Sequence, residues 1–173
     1  MNEQDVTIRP LSGPEEAQWC ARLMANSEPW LTLRRDYQEA LSIFTDPDSE
    51  QYIALLGREA VGFVVIVMKG NFTGYIKSVA VAPAFRSRGL GRQLLSFAEK
   101  QIFRESPNAF ICVSSFNQGA KRLYERMGYD VIGLLPDYVV SGHGEYLMRK
   151  SLAPITEFKP LPPNTDKEEP NSG

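Results

Sequence analysis

Histidine and cysteine are almost missing from this chain: it has one histidine, His143, and two cysteines, Cys20 and Cys112, in 173 residues. Two cysteines so far apart, without histidine partners, build neither a zinc site nor a disulfide framework, so no metal is expected. Each reads as a small buried hydrophobe, Cys20 on a helix and Cys112 on a strand. Basic charge is not in excess either. With 19 Lys+Arg against 21 Asp+Glu the net charge is -2, which gives no support for nucleic-acid binding through a basic surface. The longest apolar run, Val61 to Met68, is far too short to span a bilayer, and the polar start Met1 to Asp5 is no signal peptide. A soluble, cytoplasmic protein without a membrane role is expected.

The 43% apolar and 23% charged fractions are those of an ordinary globular protein, and the length suits one domain. One composition shift stands out: Ala153 to Gly173 holds five of the twelve prolines and few large apolar residues. Such a segment buries too little surface to offset its ordering entropy. We therefore expect a domain over 1–152 and a flexible, proline-rich tail over 153–173. Within the domain, strand and helix periods alternate. Strands are predicted at Val6–Arg9, Gln51–Leu56, Ala60–Met68, Phe72–Ala82, Ala109–Ser114, Tyr129–Leu134 and Glu145–Lys150. Helices are predicted at Pro14–Ala25, Leu33–Phe44 with Thr32 as N-cap, Gly89–Arg104 and about Ala120–Met127. The order implies an α+β fold whose sheet is mostly antiparallel, with a strand-helix-strand crossover at its centre.

Chemistry concentrates between Ser78 and Arg92. A strand runs out at Pro83, a short loop follows, and a helix starts at Gly89. Amides in the first turn of a helix lack internal partners and sit at the positive end of its dipole. Gly89 and Gly91 present no Cβ to an approaching group, and Arg86, Arg88 and Arg92 add positive charge. A pyrophosphate suits such a place. The segment lacks the Gly-Lys-Ser/Thr of a P-loop, and the third glycine and downstream acid of a dinucleotide fingerprint.

Arg86-x-x-Gly89-x-Gly91, directly after Val79-Ala80-Val81 and Pro83, resembles the acetyl-coenzyme A signature of the GNAT superfamily of N-acetyltransferases. A second block, Asn117, Ala120, Leu123-Tyr124-Glu125 and Met127-Gly128-Tyr129, matches the same superfamily, and the likeness extends over roughly Val6 to Leu152. The resemblance implies a three-layer α/β/α fold with a central, splayed sheet, and acetyl-coenzyme A as cosubstrate. Main-chain groups of Val79, Ala80 and Val81 would pair with the pantetheine arm and polarise the thioester. Amides of Ser87, Arg88, Gly89, Leu90, Gly91 and Arg92 would bind the pyrophosphate. Asn117 would contact the pantetheine, cap its helix, or do both. Tyr124 would protonate the departing thiolate, although a core aromatic at helical spacing is the alternative.

The acceptor is a primary amine, and something must take its proton before attack. The branch that acetylates protein N-termini often carries a glutamate five residues before the asparagine, and here that position is Cys112. Glu145, His143, Asp137 and Tyr138 are the candidate bases, Glu145 being carried forward with Tyr124. Glu28-Pro29-Trp30, Asp137-Tyr138 and Glu145-Tyr146-Leu147-Met148 resemble elements of ribosomal-protein alanine N-acetyltransferases, so Trp30 and Tyr138 are expected to frame the acceptor. The Pro-Trp pair reads equally as a turn with a packed indole. The acceptor is then a peptide N-terminus or a small amine such as a polyamine, aminoglycoside or amino acid. A catalytically inactive coenzyme A-binding module is the alternative, and either a monomer or a homodimer fits. No acidic cluster near residues 25–45 marks a polyamine cleft. Because Cys112 is expected to be buried, no covalent intermediate is expected, and the amine attacks the thioester directly in a ternary complex.

Overall fold

The computed structural model describes residues 5–161. Seven strands and four helices follow one another as β1 (Val6–Pro10), α1 (Gly13–Ala25), α2 (Tyr37–Phe44), β2 (Glu50–Leu56), β3 (Glu59–Val67) and β4 (Tyr75–Val81). The second half continues with α3 (Leu90–Ile102), β5 (Asn108–Ser114), α4 (Gln118–Arg126), β6 (Asp130–Leu135) and β7 (Glu145–Ser151). The sheet order is β1-β2-β3-β4-β5-β7-β6. Every neighbouring pair is antiparallel except β4 and β5, which α3 joins as a crossover. The expected α+β architecture, with helices on both faces of a mostly antiparallel sheet, is what the chain adopts.

The strand β3 explains the three layers. It is buried from Val61 through Ile66, as a strand covered on both faces must be. Val64 and Ile66 pack with Leu94, Ala98 and Ile102 of α3, while Phe63 and Val65 pack with Cys20, Met24 and Phe44 of α1 and α2. Val61 shares the α3 face because a bulge leaves it without a partner between the Ala54–Gly62 and Leu55–Ala60 pairs. Two glycines permit close approach. A Cβ on Gly62 would stand 2.6 Å from the Ala80 carbonyl oxygen, and Gly74, at φ 92°, faces the Asn108 carbonyl where β4 meets β5.

Two element boundaries differ from expectation by more than a residue or two. The second helix begins at Tyr37, not Leu33, and its cap is Asp36 rather than Thr32. Asp36 accepts from the Glu39 amide (2.8 Å) and Glu39 accepts from the Asp36 amide (3.0 Å), a capping box. Thr32 instead donates its amide and hydroxyl to the Glu28 carboxylate, and Arg34 at φ 57° breaks any helical path before Asp36. The strand expected from Phe72 starts only at Tyr75, because residues up to Gly74 form the turn out of β3. Downstream of β7 the chain does not leave the domain at once. A single 3-10 turn, Ile155–Glu157, leads to Leu161, whose amide donates to the Arg104 carbonyl (2.9 Å). The remainder of the expected tail lies outside the described residues.

Candidate active site

The parallel pair β4–β5 holds together at only two register positions, Tyr75 with Phe110 and Ile76 with Ile111. From Lys77 onward the strands part, and a cavity of about 620 Å³ opens between them. Which peptide groups of β4 face this gap follows from the ladder. The Ala82 amide donates to the Val61 carbonyl, so alternate residues Ala80 and Ser78 also point toward β3. The peptide groups of Val79 and Val81 must point the other way, into the gap. Arg86 supports this orientation, since its Nε donates to the Val81 carbonyl oxygen at 3.0 Å, outside the β3–β4 ladder. Val79, Ala80, Val81 and Arg86 all line the cavity.

The loop into α3 turns through two left-handed residues, Ser87 at φ 62° and Gly89 at φ 80°. A Cβ on Gly89 would meet nothing within 4 Å, so its backbone angle rather than crowding calls for glycine. Gly91 is likewise open, with only Leu123 Cδ2 at 3.7 Å from a would-be Cβ. Ser87, Arg88, Gly89, Leu90 and Gly91 are absent from the cavity lining and follow directly on Arg86, which belongs to it. Arg88 lies over the Phe85 ring (5.4 Å). Arg92 faces elsewhere, into a shallow groove with Gln93, Ser96, Lys100 and the β1 residues Val6 and Ile8.

Across the gap, β5, α4 and β7 contribute a polar cluster. Ser114 and Glu145 are cross-strand partners, and Ser114 Oγ donates to Glu145 Oε1 at 2.5 Å. Glu145 is only 5% exposed; burial pushes its carboxyl above the ordinary carboxylate range, and the Ser114 bond offsets only part of that. Tyr124, 7% exposed, projects from α4 into the same lining, and burial first, then the Glu145 charge, keeps its phenol protonated. Asn117 caps α4, its Oδ1 accepting from the Ala120 amide at 3.3 Å, and it also lines the cavity. Capping and access to a ligand are thus compatible at this residue.

Cys112 is half-buried and lines the cavity, so the expectation of a fully buried cysteine is corrected. Burial, first among the causes, pushes both its thiol and the Tyr75 phenol toward their neutral forms. Trp30 and Tyr138 both line the cavity. Trp30 also packs on Phe63 (ring centroids 6.1 Å apart), while Tyr138 is 63% exposed. Asp137 and His143 do not line it. Asp137, at φ 50°, accepts from the Gly142 amide (2.6 Å) and so closes the β6–β7 connection; His143 packs edge-on against Phe116. Among the candidate bases, the structure brings Glu145 and Tyr138 to the cavity.

Tyr75, Ser114 and Arg35 line the cavity without having been singled out in the sequence. The Ser114–Glu145 pair depends on β5–β7 register across 31 positions of chain, which no local pattern encodes. Tyr75 sits just before the parting of β4 and β5, a feature visible only once the strands are paired.

The model of the acetyltransferase (GNAT) family matches residues 15–129. The N-alpha-acetyltransferase RimI of Mycobacterium tuberculosis is 30% identical over 155 residues, 85% of this chain and 93% of that protein. An uncharacterised protein of Mycobacterium leprae is 38% identical over 94 residues, which is 52% of this chain but only 26% of that longer protein. Among solved structures, the ribosomal-protein-S18-alanine N-acetyltransferase of Escherichia coli superposes with a TM-score of 0.69 over 87% of this chain and 97% of the other. At 18% identity, that likeness speaks for the fold.

Proposed function

This chain belongs to the acetyltransferase (GNAT) family, and from that premise we propose that it transfers an acetyl group from acetyl-coenzyme A to the free N-terminus of a peptide. The observation that carries the reading is the gap between β4 and β5, with the outward peptide groups of Val79 and Val81 on one side and Tyr124 and Glu145 on the other. The acceptor assignment leans on the full-length likeness to an N-alpha-acetyltransferase.

In this reading the pantetheine arm lies along β4 as an added strand, bonding the free groups of Val79 and Val81. The Val81 carbonyl exchanges its Arg86 bond for the cosubstrate, which releases the guanidinium toward the phosphates. The pyrophosphate rests on the amides from Ser87 to Arg92 at the start of α3. The amine enters from the side of Trp30 and Tyr138. An alkylammonium must lose a proton first, and Glu145 takes it; a carboxyl raised by burial is a stronger base than an exposed one. The nitrogen attacks the thioester carbonyl, the new C–N bond forms and the C–S bond breaks. A β4 amide holds the transient oxyanion, and Tyr124 gives its phenolic proton to the departing sulfur. The second proton of the attacking nitrogen passes to the Tyr124 phenolate as the amide forms, while Glu145 releases its proton to solvent. Ser114 orients the Glu145 carboxylate throughout.

The test is calorimetric titration of the protein with acetyl-coenzyme A, followed by thiol release with short peptides bearing free or blocked N-termini. Micromolar binding with release from free N-termini only is expected. Absence of binding would remove the cosubstrate assignment, and release with simple amines but not peptides would remove the acceptor assignment.

A further inference from the structure

We propose that Arg35 reads a carboxylate on the acceptor, so that the enzyme prefers amines carrying an acidic group close to the reacting nitrogen. The inference rests on the reading of the cavity as the acceptor site and narrows it to a substrate class. Arg35 ends the connection between α1 and α2, where its amide donates to the Trp30 carbonyl (3.0 Å) and fixes the main chain against the cavity wall. Its side chain lines the cavity, and its Nε is buried with no hydrogen-bond partner among the described residues. A buried donor of this kind is costly unless something accepts from it.

The other charges of the cavity are already engaged. Glu28 accepts from the amide and hydroxyl of Thr32 (3.1 and 3.0 Å), and Glu145 accepts from Ser114. Lys77 stands 3.7 Å from Asp46, and Arg86 donates to Val81. Among the described lining residues, Arg35 alone keeps a guanidinium without an acceptor or a counter-ion. Its planar fork matches a carboxylate through two parallel bonds, which a neutral amide cannot reproduce. The same charge repels a polyamine. A carboxylate could come from an acidic side chain in the residue after a peptide N-terminus, or from the α-carboxylate of a free amino acid.

The experiment compares the parent with Arg35→Gln and Arg35→Lys on matched acceptors: Ala-Asp and Ala-Asn hexapeptides, and alanine against alaninamide. Each acceptor is titrated by tryptophan fluorescence in the presence of coenzyme A, and kcat/KM is read from thiol release. The parent should favour the carboxylate member of at least one pair by about 10–100-fold, the range of a charge-assisted bond against a neutral one. Arg35→Gln should bring that ratio close to one, with the neutral acceptor and the acetyl-coenzyme A affinity unchanged, and Arg35→Lys should restore part of it. A preference within the peptide pair assigns the side chain, and one within the alanine pair assigns the α-carboxylate. Equal affinity of the parent for both members of each pair, or equal losses for both in Arg35→Gln, would overturn the proposal. Failure of acetyl-coenzyme A to bind, or of any acceptor to turn over, would count against the acetyl-transfer reading, whereas the fluorescence titrations decide the role of Arg35 independently of turnover.

Discussion

Replacing Gly62 by alanine tests the packing that holds the cavity's inner wall. Gly62 lies on β3, opposite Val81, at an ordinary negative φ, so alanine there brings no backbone strain. On backbone grounds alone Gly62→Ala should stabilise by roughly 0.4–1 kcal/mol, because it narrows the unfolded ensemble. The added methyl, however, would stand 2.6 Å from the Ala80 carbonyl oxygen and 3.0 Å from Leu94 Cδ1. The first neighbour is backbone in the middle of the sheet and cannot swing aside. Overpacking of this kind costs about 1–3 kcal/mol, so the net effect is a loss of about 1–2 kcal/mol. For a chain of this length each kcal/mol moves Tm by ~2–4 °C, and a drop of about 2–8 °C is expected in a thermal scan. Gly119→Ala supplies the opposite sign. It lies in α4, also at ordinary φ, and a Cβ there meets nothing within 4 Å, so a gain of about 0.5–1 kcal/mol is expected. If Gly62→Ala raised Tm as Gly119→Ala does, the close contact of β3 with β4 would be wrong, and with it the position of the wall.

Tyr124→Phe should lower kcat by ~10²–10⁴-fold while acetyl-coenzyme A affinity, read by calorimetry, stays within a factor of two or so; an unchanged kcat would refute the general-acid role. In the parent no alkaline loss of activity should trace to Tyr124 within the ordinary tyrosine range, because burial and the Glu145 charge hold its proton. Glu145→Gln should abolish most turnover yet raise Tm at neutral pH. Its folded carboxyl titrates above its unfolded value of 4.5, so the folded state binds the proton more tightly, and the parent loses stability as pH rises through that window. The glutamine variant lacks that loss, and equal slopes of Tm against pH for the two proteins would refute the buried-carboxylate picture. Gly89→Val should weaken acetyl-coenzyme A binding by about tenfold or more, because φ 80° is strained for a β-branched residue at the start of α3. Unaltered affinity would remove that turn from the pyrophosphate site.

Local patterning determined much of this protein by itself. The four-residue recurrence of Leu90, Leu94, Ala98 and Ile102 marks α3, and that face is the buried one. The alternation of Pro, Gly and apolar runs places all seven strands, and the two sequence blocks around Gly89 and Tyr124 identify the family before any coordinate is seen. Such signals are short-range, since helix period, turn residues and glycine at positive φ are properties of neighbouring residues. The start of α2 shows where even local reading needs more, because Asp36 and Thr32 are both good caps and the Glu28 carboxylate draws Thr32 away. Tertiary structure alone decided the rest. Glu145 enters the cavity rather than solvent because β7 pairs with β5 in the register that sets it beside Ser114. Cys112 faces the gap rather than the core for the same reason, and Arg92 turns toward β1 although Arg86, at the other end of the same loop, lines the cavity. A strand carries side chains alternately to its two faces, so one step of register exchanges cavity for core, and that step is fixed by contacts between residues far apart in the chain.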